Sequence, residues 1–287
     1  MRLGADILDI RTPEEWAQRH VELGYGAAFW PSDAAPYDAD ERMIQAYLTA
    51  LQRRGLIIAE VGAWCNLLDA NPETREKNLN YVIGQLKLAD RVGARCCVNI
   101  AGSLNVQSWC GPHPDNLSDA NFRRIVELIQ QIIDSAAPKH TCFSLESMPW
   151  LFPYDIESTE RILKAVNRAA FGVHVDMCNL INGYEKVYRS GELVRSFFSE
   201  FGDKICSVHA KDIALVGELT VQIQEVVAGE GVFDHDALLK ACDALDNDLP
   251  VMLEHLHTPD EYLRAATFMQ TRARKLGLRF VEGHAPR

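Results

Sequence analysis

The stretch FGVHVDM, residues 171–177, reads as a buried strand that carries an imidazole and a carboxylate, His174 and Asp176, two positions apart. Side chains at that spacing leave a strand on the same face, so both point at whatever that face encloses. Burying an unpaired carboxylate is expensive. Asp176 therefore needs a structural partner, or it serves a cation or a substrate at the strand's end.

Working outward, runs of the same kind recur along the chain: RLGADIL (2–8), GYGAAFW (24–30), LIIAEVGAW (56–64), RCCVNIAGS (95–103), TCFSLESM (141–148), ICSVHAKD (205–212) and PVMLEHL (250–256). Between them lie stretches such as 38–55, 71–93, 117–136 and 155–169, where apolar residues return every three or four positions, as on one face of a helix. Asn71 before Pro72, Ser118 with Asn121 nearby, and Thr258 before Pro259 mark helix starts; Gly55, Gly93 and Gly277 mark helix ends. Eight strand candidates, each followed by a helical segment and with no long Pro/Gly-rich linker, predict an α/β protein formed of a single (β/α)8 TIM barrel over residues 1–287. The competing fold is a doubly wound open sheet. A dinucleotide-binding sheet of that kind would place a glycine-rich phosphate turn after its first strand, and DILDIRTPEEW has none.

Composition narrows the function classes. Apolar residues at 47% and charged residues at 24% are the proportions of a globular chain that can bury a sizeable core, which argues against disorder. The formal net charge of -11, unbroken by any run of Lys and Arg, would repel a phosphate backbone, so no nucleic-acid partner is expected. Cys96, Cys97, Cys142, Cys178 and Cys206 lie in or beside apolar strand-like runs without CxxC spacing, which suits buried thiols in a reducing compartment. Residues 1–16 lack the apolar stretch of a signal peptide, and no run reaches membrane-spanning length. The expectation is a cytoplasmic protein with no membrane association.

The last four strand candidates each carry an ionisable residue near the C-terminal end: Glu146 in FSLESM, Asp176, His209 in SVHAKD, and Glu254 in VMLEHL. In a barrel those ends surround one cavity. Three carboxylates and an imidazole converging there without a cation would repel one another, and some would have to protonate. A single divalent ion removes the difficulty. Three oxygen donors and one nitrogen suit Mn²⁺ first, with Mg²⁺, Co²⁺ or Zn²⁺ as alternatives. Taken singly, each residue could equally be an ion-pair or hydrogen-bond partner within the barrel.

Other residues add to this. His174 lies one layer deeper than Asp176, where it could orient a ligand or be an ordinary core histidine. Lys211 shares a face with His209 and could hold a substrate oxygen or polarise a carbonyl, or instead form an ion pair with Asp212 or another neighbour. Strand alternation points His255 outward, toward the helices, and leaves His257 and Glu230 in loops near the mouth. Trp64, Trp109 and Trp150 could wall a sugar ring, or simply pack. The longer excursions at 105–119 and 213–237 would both stand at the C-terminal mouth, where function-bearing loops gather.

In this order and spacing, FSLESM, VHVDMCNL, SVHAKD, VAGEGVFDHDALLKA and VMLEH resemble the xylose isomerase-like barrel superfamily, in particular its sugar-phosphate isomerase/epimerase branch. The resemblance spans nearly the whole chain and is strongest from Glu146 to Glu254. It implies Glu146, Asp176, His209 and Glu254 as ligands of one divalent ion, and Glu146 and Glu254 as the proton-transfer pair; beside it, the residues themselves offer Asn179, Lys211, His174 and Trp109 as candidate substrate-binding positions. Members of the superfamily are commonly dimers or tetramers, so a homo-oligomer is conceivable.

Two departures refine the resemblance. The endonuclease IV type needs further zinc-binding histidines three residues after the aspartate and four before the GEG turn, where this chain has Asn179 and Glu225. The tagatose-epimerase type usually has a substrate-binding histidine at Asn179 and an arginine at Leu215, so a free ketohexose is not the implied substrate. The expected activity is isomerisation or epimerisation of a keto sugar or keto-glycoside through a metal-stabilised enediolate. The alternatives are a dehydratase or glycoside-cleaving lyase using the same proton removal, metal-dependent hydrolysis, and a non-catalytic sugar-binding or subunit protein.

Overall fold

Asn71, Ser118 and Thr258 each accept backbone N–H groups that their helices leave unpaired. Asn71 takes those of Glu73 and Thr74, and Ser118 takes that of Asn121. Thr258 and Glu261 form a reciprocal capping box. Past the helix ends, Gly55, Gly93 and Gly277 adopt positive φ, the region that costs a residue without Cβ nothing.

The computed structural model describes residues 1–8, 12–246 and 248–286. In chain order it contains β1 (Arg2–Ala5), α1 (Pro13–Glu22), β2 (Ala27–Phe29), α2 (Glu41–Gln52), β3 (Ile57–Gly62), α3 (Pro72–Val92), β4 (Cys96–Asn99), α4 (Asp119–Ala136) and β5 (Cys142–Glu146). There follow α5 (Ile156–Val166), β6 (Phe171–Asp176), α6 (Tyr184–Tyr188), α7 (Ser190–Phe201), β7 (Ile205–Ala210), β8 (Asp212–Val216), β9 (Gln222–Val226), α8 (His235–Leu245), β10 (Pro250–Leu253) and α9 (Pro259–Lys275).

Eight of the strands close a parallel barrel in the order β1-β10-β7-β6-β5-β4-β3-β2. This is the (β/α)8 architecture. The helices are held outside it by their apolar stripes: Val82, Leu86 and Ala89 on α3, and Ile125, Ile129 and Ile132 on α4, belong to one buried cluster centred on β2–β5. A second cluster unites Val194, Phe197 and Phe201 of α7 with Leu238 and Cys242 of α8 and Ala265 and Met269 of α9, against β6, β7, β10 and β1. Among the described residues, no helix is long and apolar enough to cross a membrane.

The excursion after β7 is more ordered than a loop. It folds back as an antiparallel hairpin, β8 on β9, with Asp212 opposite Val226 and Val216 opposite Gln222. The return to α8 is then fixed by one carboxylate. Asp212 Oδ1 accepts the N–H groups of Ile213 and Phe233, and Oδ2 those of Gly229 and Gly231. At Gly231 a Cβ would stand 2.3 Å from that carboxylate, so the GEG turn can close over Asp212 only with glycine there.

Candidate metal centre

Register decides which side chains enter the barrel. In parallel neighbours, paired residues face the same way, and the pairs Glu60↔Cys96, Cys96↔Cys142, Ser144↔Gly172, Glu146↔His174 and Asp176↔His209 trace the inward face around the barrel. Because the strands are staggered, Glu146 is level with His174 rather than Asp176, yet its carboxylate rises to the same cavity.

Glu146, Asp176, His209 and Glu254 each offer one ligand atom, and these four atoms lie within 4.8 Å of one another. Their sources are the last residues of β5 and β6, the penultimate residue of β7 and the first residue beyond β10. His209 Nδ1 is 3.2 Å from Glu146 Oε1 and 2.8 Å from Glu254 Oε1. The Lys211 ammonium enters the same cluster, 2.7 Å from Asp176 Oδ2 and 2.6 Å from Glu254 Oε1. Both oxygens are buried. Three carboxylates and one imidazole that bring a ligand atom each to one enclosed point, beside a cation already drawn there, make a donor set that fits a divalent ion.

The electrostatics follow from crowding. Burial would lower the pKa of His209, but Glu254, Glu60 and Glu146 hold it well above the ordinary histidine value. Burial likewise works against the Lys211 ammonium, and Asp176 and Glu254 overcome it. The two glutamates part company. Burial and the neighbouring charge of Glu254 raise Glu146, whereas Glu254, despite its own burial, is held well below the carboxylate range by His209 and Lys211.

Asn179 takes its place beside the cluster: its backbone N–H donates to Asp176 Oδ1 at 3.1 Å and its amide to Glu146 Oε1 at 3.3 Å. Trp109 is 45% exposed, so its indole is free to meet a ligand, as are those of Trp64 and Trp150. The Trp150 indole N–H donates to Cys110 O at 2.7 Å, which ties the loop after β5 to the loop that carries Trp109.

Three residues around the cluster take definite positions. His174 is fully enclosed beneath the cluster, with its Nε2 3.0 Å from Glu60 Oε1. Of the partners open to Lys211, the structure gives it Asp176 and Glu254 rather than Asp212, whose carboxylate is turned away into the GEG turn. His255 does not point outward. β10 stops at Leu253, and a φ of 57° at His255 swings its ring inward, 3.1 Å from Lys211 Nζ and 3.2 Å from Glu225. Glu225 reaches this contact from the hairpin, so β9 contributes to the mouth. Glu230 is elsewhere, paired with Arg264.

Glu60 was not singled out from the sequence. It lies on β3, is 1% exposed, and faces His174, His209 and Ser207. The signal was present: a carboxylate in the middle of the apolar run LIIAEVGAW cannot be buried without partners.

With this geometry established, comparison with known proteins becomes informative. The sequence profile of xylose isomerase-like TIM barrels matches residues 17–272. The chain belongs to that family. Among solved structures, it is similar to a xylose isomerase-like TIM barrel protein from Mycobacterium smegmatis in complex with magnesium, at 16% identity over 96% of each chain and a TM-score of 0.69. It is also similar to the probable 3-DHS dehydratase AsbF from Bacillus anthracis, at 17% identity over 94% of this chain and 98% of that one, with a TM-score of 0.72. D-psicose 3-epimerase from Clostridium cellulolyticum H10 matches at 13% identity over 97% of this chain and the whole of the other, with a TM-score of 0.67. At these identities the likeness is one of fold. No curated protein sequence matches the chain.

Proposed function

We propose that this protein is a divalent-metal-dependent isomerase or epimerase of a keto sugar or keto-glycoside, with Mn²⁺ as the leading metal. The observation that carries the reading is the convergence of Glu146, Asp176, His209 and Glu254 on one cavity at the barrel's C-terminal end. A divalent ion bound there would stabilise the negative charge that develops on substrate oxygens as a neighbouring C–H is ionised. Glu146 and Glu254 carry the protons. They come from strands separated in the barrel by β6 and β7, so they approach the cavity from different sides. Removal by one and return by the other inverts a carbon; return to the adjacent carbon moves the carbonyl. Asn179 and the buried Lys211 orient substrate oxygens beside the cluster, and Trp109 offers a face for a sugar ring.

A second reading is elimination. The Lys211 ammonium and the His255 ring lie beside Glu254, where they could donate a proton to a departing hydroxyl or glycosyl oxygen. Proton removal is shared by both readings, and the leaving group separates them.

Incubation with Mn²⁺ in deuterated water and a panel of keto sugars and keto-glycosides tests the proposal. The expected result is deuterium at a carbon next to the carbonyl together with an epimer or positional isomer. A conjugated enone or a released aglycone would favour elimination. Absence of exchange in every substrate, with metal bound, would reduce the protein to a sugar-binding role.

A further inference from the structure

His209 has two ring nitrogens in different surroundings. Nδ1 faces the carboxylate cluster, 2.8 Å from Glu254 Oε1. Nε2 faces the opposite way, down the barrel axis, and meets Glu60 Oε2 at 3.3 Å. The other oxygen of Glu60 takes His174 Nε2 at 3.0 Å and the Ser207 hydroxyl. The His174 ring stands edge-on to His209 with centroids 4.1 Å apart, and Phe29 closes another side.

Glu60 is fully enclosed, and both of its oxygens are taken: Oε1 meets His174 Nε2 and the Ser207 hydroxyl, and Oε2 meets His209 Nε2. A ring nitrogen that binds a cation carries no proton, and Nδ1 is the nitrogen turned to the four-residue cluster, so the ring's proton belongs on Nε2, where the Glu60 carboxylate is placed to accept it. Stability does not explain a carboxylate at this point, because an apolar residue of similar volume would fill the layer without the desolvation cost.

We infer that Glu60 is a positioning residue of the metal centre: from the opposite half of the barrel it holds His209 as the Nε2–H tautomer, so that Nδ1 is the ligand nitrogen. The inference rests on the metal-dependent reading above and adds to it the residue that orients the single nitrogen donor. A carboxylate behind a ligating imidazole fixes the ring and raises its basicity, and losing such a partner weakens metal binding about 10–100-fold.

Two measurements test this. In ¹⁵N-histidine-labelled wild-type protein loaded with Zn²⁺, long-range proton–nitrogen spectra should show His209 protonated at Nε2 and metal-bound at Nδ1. The reverse assignment overturns the inference without any variant having to fold. Calorimetric titration with Mn²⁺ should then give one ion per chain for wild type, and a Kd raised about 10–100-fold in Glu60→Gln. Glutamine offers one acceptor oxygen where two imidazoles and a hydroxyl converge. Ser207→Ala, which leaves the Glu60–His209 contact in place, should keep the wild-type Kd. An unchanged Kd in Glu60→Gln would sink the positioning role. So would a second ion per chain, because Glu60, His174 and His209 also present donor atoms within 4.8 Å of one another. Failure of wild type to bind either Zn²⁺ or Mn²⁺ would instead remove the metal-dependent function itself.

Discussion

The C-terminal ends of β1 to β4 and those of β5, β6, β7 and β10 are built from different chemistry. The first four strands finish in Ala5, Phe29, Gly62 and Asn99, whereas the other four finish at or beside Glu146, Asp176, His209 and Glu254. One half closes the cavity mostly with neutral groups, Asp6 just beyond β1 being the carboxylate it adds near Glu254, and the other fills it with charge. Like charges gathered on one side of a low-dielectric cavity repel each other strongly unless a cation sits among them. The asymmetry thus concentrates the capacity to hold an ion on one wall. Glu60 is the exception that crosses over, since it grows from the first half and acts on His209 of the second.

The largest expected effect comes from discharging the second half. Glu254→Gln keeps the shape of the side chain and an oxygen donor but cannot take up a proton, so turnover should fall about 10²–10⁴-fold, the usual worth of a positioned acid or base. Steady-state rates of deuterium exchange or product formation read this directly. Full turnover in the variant would end the two-glutamate scheme and leave the charge asymmetry without a catalytic meaning.

Much of this contrast was legible in the sequence, for a local reason. Strand-sized apolar runs punctuated by helix caps count to eight, and an ionisable residue near the end of each of the last four runs needs no partner information to be noticed. What escaped depends on contacts far apart in the chain. Glu60 meets His174 and His209 across 114 and 149 residues, and no period or spacing joins them. His255 was misread because alternation assumes that a strand continues; β10 ends two residues earlier, and the left-handed backbone at His255 reverses the side. For Lys211 the sequence leaves Asp212 or another neighbour open as the partner, and what excludes Asp212 is again a long-range arrangement. That carboxylate is already taken by four backbone N–H groups of the turn it closes.

A cavity cut on the neutral side should show the opposite pattern. Leu86 on α3 is fully buried in the cluster that backs β2–β5. Leu86→Ala is expected to cost about 2–5 kcal/mol of stability, from lost transfer energy and the void left behind. Denaturant unfolding measures the loss. Mn²⁺ affinity and turnover in the folded variant should stay at wild-type values, because none of the four ligand positions lies on α3. A parallel loss of metal affinity would mean that the two halves are mechanically coupled.

Two buried histidines carry the comparison to its finest point. His20 on α1 is 1% exposed and His209 is 2% exposed, yet their pKa values move in opposite directions. Carboxylates surround His209. His20 meets only backbone acceptors, those of Trp16 and Ala5, with its Nδ1 2.9 Å from Trp16 O, and burial pushes it down to about 4 from an ordinary value of 6.5. Above 6.5 both the folded and unfolded forms keep this histidine neutral, so its contribution is constant. As pH falls below 6.5 the unfolded chain takes up a proton that the folded chain refuses until about 4, and stability drops by about 1.4 kcal/mol per pH unit across that window. The loss attributable to His20 should therefore reach roughly 3 kcal/mol by the lower limit. Unfolding of wild type and His20→Gln, followed with denaturant from pH 7 to pH 4, isolates it: whatever other groups contribute is shared, and the wild-type protein should lose the additional amount. A stability difference between the two proteins that stays flat with pH would show that His20 is charged in the fold after all, and that neutral packing does not distinguish the first half of the barrel from the second.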